Sequence, residues 1–177
     1  MSDEQRCDAS LHSSFYEKLV EHVFVSEVVQ EAWFRFRRSV EVLRAEVDDA
    51  GYDLVLECNG VIRHVQLKSS RERASTSSQT VNTALAEKPS GCVVWLVRVE
   101  DENRCRVKLR YRFFGNPAGK PLPSLKGFRT GKHTKANAKG VKAERRATRR
   151  IPKGKFIELE DVSELLRRLF DVSDTFG

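Results

Sequence analysis

GYDLVLECNGVIRHVQLKSS, residues 51–70, is the stretch from which the fold is read. Asn59-Gly60 at its centre is a strong two-residue hairpin signal, because both positions of such a turn need positive φ and this pair takes it at little cost. With those two as the loop, Cys58 faces Val61, Leu56 faces Arg63, Leu54 faces Val65, Asp53 faces Gln66 and Tyr52 faces Leu67. Alternation then puts Tyr52, Leu54, Val65 and Leu67 on one apolar side. Asp53 and Gln66 share the other side with Lys68 diagonal to Asp53, and opposed Cβ atoms about 5 Å apart bring all three within reach of one ion or phosphate. His64 is on that side too, one step toward the turn, where a packed or solvated role is expected of it.

Upstream, no Gly or Pro occurs before Gly51. Residues 13–36 carry Phe15, Leu19, Val23, Val29, Trp33 and Phe36 near helical spacing, which predicts one long helix; the β-branched stretch HVFVSEVV leaves a strand as the alternative. Residues 40–47, 52–58 and 61–68 read as three strands. Downstream, a polar loop leads to a short helix at 80–87, ended by Pro89-Ser90-Gly91, and then to a buried strand at 92–100. The expected core order is αβββαβ.

Beyond it the charge pattern changes. Residues 104–155 hold 18 Lys and Arg against one acid, Glu144, a formal +17, while the other 14 basic residues stand against 24 acids, a formal −10. Such segregation points to a polyanionic partner; a solvated basic segment, or a cationic edge that blocks strand pairing, would look alike in sequence. Arg104, Arg106, Lys108, Arg110 and Arg112 alternate with Cys105, Val107, Leu109, Tyr111 and Phe113, which predicts a strand with one cationic face. Residues 115–150, rich in Gly and Pro among cations, read as a long loop in which Lys132, His133, Lys135 and Asn137 offer donors to phosphates. Residues 156–159 then read as a strand, and Asp161 with Glu164 at capping-box distance opens a helix through Leu165, Leu166, Leu169 and Phe170.

Length and composition fit one domain, with a core over 1–103, a basic strand and loop at 104–155 belonging to the same domain, and a closing strand and helix at 156–177. Cys7, Cys58, Cys92 and Cys105 show neither disulfide nor zinc spacing, and no apolar run reaches the roughly 18 residues of a membrane span. A cytoplasmic protein without membrane attachment is expected.

The run from Gly51 to Ser70, behind a Glu-bearing helix, resembles the PD-(D/E)XK nuclease superfamily, in the branch where Q-x-K replaces E-x-K. The resemblance spans roughly residues 13–100 and implies an α/β, restriction endonuclease-like core: a mixed central sheet flanked by helices, here with a basic C-terminal extension. It implies a Mg2+- or Mn2+-dependent endonuclease acting on DNA, with RNA the less favoured substrate; a homodimer is compatible with that. By position Asp53 would bind the metal, Gln66 and the Leu67 carbonyl would be further ligands, and Lys68 would position or activate the attacking water. Glu27 would be the helix carboxylate, with Glu21 the runner-up. Tyr52 stands where the family's proline would be, a frequent change. Gln66 in place of an acid removes a negative charge, so magnesium should bind more weakly unless Glu27 compensates. A binding-only relative is the alternative reading.

Overall fold

The computed structural model describes residues 13–46, 50–132 and 144–174, and within them the chain is a mixed α/β fold of three layers. Helix α1 (Ser13–Phe34) leads into strands β1 (Glu41–Arg44), β2 (Leu54–Cys58), β3 (Val61–Arg71) and β4 (Ser78–Asn82). After a 3-10 turn at Thr83–Glu87 come β5 (Gly91–Asp101), β6 (Arg106–Gly115), β7 (Thr130–Lys132), β8 (Glu144–Pro152), β9 (Ile157–Leu159) and helix α2 (Val162–Phe170). Six strands form a mixed sheet in the order β1-β2-β3-β5-β6-β9, parallel only between β3 and β5. A three-stranded sheet, β4-β8-β7, covers part of its other face.

The hairpin register is as the Asn59-Gly60 turn requires: both residues have positive φ, and Cys58 pairs with Val61, Leu56 with Arg63 and Leu54 with Val65. The ladder stops there, although Asp53 still donates its N–H to the Val65 carbonyl at 2.9 Å. Leu54, Val65 and Leu67 face the helices, as alternation demands, but Tyr52 does not join them. The chain bends where β2 begins, and Tyr52 packs on the opposite face with its ring edge-on to His64. Gly51 permits that bend: its φ is +79°, and a Cβ there would come within 3.0 Å of the backbone at Leu85.

One core lies between the helices and the large sheet, built from Val20, Phe24, Val28 and Ala32 of α1 against strand residues such as Val94 and Leu165 and Leu169 of α2. The i, i+4 spacing of those helix residues is the face the sheet selects. Phe15, Val29 and Trp33, expected on the apolar stripe, point to solvent, with Trp33 55% exposed. The middle of α1 is apolar nearly all round, so sequence periodicity offered two faces and tertiary packing chose the other. The second core holds Trp95 and Phe114 of the large sheet against Val81 and Ile151 of the small one, closed by Phe156.

Two segments differ from expectation. Residues 80–87 form a strand end and a 3-10 turn rather than an α-helix, because Val81 is zipped to Arg149 of β8 and Asn82 caps the turn by accepting the Ala84 N–H at 3.0 Å. The αβββαβ order is therefore replaced by one in which a strand of the second sheet, β4, and a 3-10 turn come between β3 and β5 along the chain. The stretch 115–150, expected as loop, supplies β7 and most of β8. Strand β6 starts at Arg106, and Arg104 sits in a 3-10 turn before it. The other expected strands and both long helices lie where the pattern put them, within a few residues, and the Asp161 side chain caps α2 by accepting the Glu164 N–H at 2.8 Å. Strands β6 and β9 continue the large sheet and α2 packs beside α1, so the C-terminal segments are built into one fold with the core. Among the described residues no helix is long and apolar enough to cross a membrane.

Candidate active site

Strand β3 outruns its partner β2. Past Val65 it is paired through Arg71 with β5 alone, so on the β2 side its edge is open. The first N–H on that open edge, from Leu67, is received by the Asp53 carboxylate at 2.6 Å. A strand residue points its N–H and C=O to the same side, so the Leu67 carbonyl faces the opening as well.

The opening is a cleft of about 340 Å³ whose polar lining includes Asp53, Lys68, Gln79 of β4, and Glu17, Lys18 and Glu21 of α1. Two of the three residues singled out in the hairpin are thus together. Gln66 is not in the lining: it is buried, and its Oε1 accepts the Asn82 N–H at 3.1 Å, tying the small sheet to β3. Of the two helix glutamates, Glu21 enters the cleft and Glu27 does not. Glu17 and Glu21, at i, i+4, share the face above Asp53, whereas Glu27, about one and two-thirds turns beyond Glu21, lies on another face and turns toward β6. There it accepts a hydrogen bond from the Tyr111 hydroxyl, and burial pushes its carboxyl up against the opposing effect of that bond.

Glu21 is 8% exposed and fully engaged, with Arg44 Nε 2.8 Å from one oxygen and Lys18 Nζ 2.9 Å from the other. Burial, the largest single influence, would raise its carboxyl, but the hydrogen bonds and positive charges of Lys18 and Arg44 together hold it below the ordinary value. His64 lies outside the cleft against Tyr52, its pKa pushed down first by burial and then by Lys88. Cys58 and Cys92 are buried thiols and Cys105 is exposed.

The cationic face of β6 exists, but its Lys108, Arg110 and Arg112 are already matched by acids. Lys108 pairs with Asp101 at 3.2 Å, Arg110 with Glu72 at 2.8 Å, and Arg112 with Glu158 at 3.1 Å while also lying over Trp95. Arg104 and Arg106 are exposed beside it. Lys132 ends β7 at the surface; His133, Lys135 and Asn137 lie outside the described residues. Sequence reasoning gave no weight to Arg145 and Arg146 on β8, which are exposed and enlarge the cationic surface.

No protein-family model matches the chain, and no curated protein matches it. The cleft has to be judged on its own chemistry. Among the described residues no three His, Cys, Asp or Glu side chains converge as a metal cage. What the cleft offers is hard oxygen: the Asp53 carboxylate, the Leu67 carbonyl and the Glu17 carboxylate, while Glu21 is held by Lys18 and Arg44. Magnesium, which binds through one or two carboxylates and retains several waters, fits that set; zinc and a caged calcium do not.

Proposed function

We propose that the chain is a metal-dependent nuclease that hydrolyses DNA phosphodiester bonds, built on a restriction endonuclease-like core of the PD-(D/E)XK type in its Q-x-K form. The observation that carries this reading is the meeting of Asp53 and Lys68 with the helix carboxylates Glu17 and Glu21 in one cleft at an open strand edge. Bound Mg2+ or Mn2+ would polarise the phosphate and make water a nucleophile near neutral pH. Asp53 would hold the ion together with the Leu67 carbonyl. Lys68 would donate to a non-bridging phosphate oxygen and orient the attacking water, stabilising the charge that develops as the new P–O bond forms and the old one breaks. The cations of β8 would hold the flanking backbone.

A second reading, a DNA-binding protein without catalysis, is favoured by the state of Glu21, both of whose oxygens are occupied by cations. Cleavage of plasmid, linear, branched and single-stranded DNA with either metal separates the two. Lys68→Ala should lower the rate by about two or more orders of magnitude while DNA affinity stays within a few-fold. If wild-type protein and the Asp53→Asn and Lys68→Ala variants leave every substrate equally intact, the binding-only reading holds.

A further inference from the structure

A second cavity, of about 360 Å³, is lined by Arg71, Arg73 and Arg98 with Glu72 and Glu100. It continues the first along the same two strands: Ser69 and Leu96 line the cleft, and the residues two further on, Arg71 of β3 and Arg98 of β5, line this one. Arg71 and Arg98 are direct partners in the parallel ladder, so two guanidinium groups leave neighbouring strands side by side. Arg98 is nearly buried and stacks on the Tyr16 ring at 4.3 Å. Its Nε lies 3.3 Å from a Glu100 oxygen but outside hydrogen-bond geometry, and Arg71 reaches the same oxygen only at 3.9 Å. Glu72, the other acid, is taken by Arg110. Among the described residues, the three arginines thus share little more than one carboxylate. Burial first, and the Arg71 charge second, push the Arg98 pKa down, the sign of a cation short of a counter-charge.

We propose that Arg71, Arg73 and Arg98 form a phosphate site that takes the polynucleotide phosphate next along the strand from the one in the Asp53–Lys68 cleft. Two residues of extended strand cover about 7 Å, which matches the repeat of successive phosphates on an extended nucleic-acid strand. Planar guanidinium groups suit the tetrahedral oxygens of a phosphate diester better than a point charge does. Identifying the ligand as a polynucleotide rests on the nuclease reading; the cavity and its charge do not.

The test is binding by the full-length protein, in chelator and low salt, of labelled oligothymidylate and separately of inorganic phosphate. The exposed pair Arg71→Ala/Arg73→Ala should weaken the oligonucleotide at least tenfold, whereas Arg168→Ala on α2 should change it less than twofold. Glu100→Gln, which frees both arginines, should tighten it severalfold. Equal effects of the double variant and the Arg168 control would overturn the proposal. Loss of inorganic phosphate binding with oligonucleotide binding unchanged would also overturn it, in favour of a site for free anions. Because no metal is present, these results are independent of catalysis, which fails or stands on the Asp53 and Lys68 variants.

Discussion

Gln66 and Glu27 occupy places that a linear reading assigns to chemistry and that the fold uses for structure. The Gln66 amide oxygen is committed to the Asn82 N–H inside the protein. Gln66→Leu would leave that donor buried without a partner, so it should cost about 1–3 kcal/mol in a denaturant titration. Magnesium affinity measured by calorimetry should be unchanged. A tenfold loss of affinity would return Gln66 to the ligand set. Glu27, its carboxyl raised above 4.5 chiefly by burial, binds a proton more readily folded than unfolded. Its contribution to stability therefore falls as pH climbs from 4.5 through the raised folded value. Glu27→Gln, which keeps an acceptor for Tyr111, should be more stable than wild type at pH 7 and lose that advantage near pH 4.5; denaturation midpoints across that interval check it. Glu21 runs the other way, adding stability above 4.5 that is lost as pH falls through its lowered value.

Helix α1 shows what a one-dimensional pattern leaves undecided. Phe24→Ala, on the buried face, should cost about 3–5 kcal/mol, and Trp33→Ala, on the exposed one, less than about 1 kcal/mol. Equal losses in thermal or denaturant unfolding would mean that the helix is rotated. The existence of α1 was legible because nothing in it breaks a helix. Its orientation was not, since Val23, Phe24, Val25, Val28 and Val29 are apolar on both sides. The hairpin was legible down to its register because the Asn59-Gly60 turn fixes pairing locally. Strands β4 and β8 were hidden for the opposite reason: SQTVN and ERRATRRIP lack apolar alternation, and each is a strand because it finds the other across the chain. The candidate site divides along the same line. Asp53 and Lys68 sit at the open end of a hairpin whose register its turn fixes locally, while the choice of Glu21 over Glu27 depended on how a helix rolls onto a sheet.

Across the whole molecule the excess of basic residues is distributed less simply than the sequence implies. Much of the β6 row is matched by Asp101, Glu72 and Glu158, leaving the β8 arginines more available to a polyanion. If DNA lies there, Arg145→Ala/Arg146→Ala should flatten the dependence of log K on log salt by about 0.9 for each phosphate that is no longer neutralised. Lys108→Ala/Arg110→Ala should change that slope less, and the reverse ranking in a salt titration of duplex binding would place the DNA on β6 instead.

The pairing of Val81 with Arg149 also sets an order of events in time. A ribosome that has finished β5 and β6 has yet to make the strand that completes the second layer. Until then Val93, Trp95 and Phe114 form an uncovered apolar surface on a nascent chain. Closure across so long a stretch of chain is slow compared with a local hairpin, so the hairpin at Asn59-Gly60 should be an early event and the docking of β4 on β8 a late one. The growing chain therefore passes through an interval in which that apolar surface lacks its cover, and the interval lengthens with any pause in translation between β6 and β8.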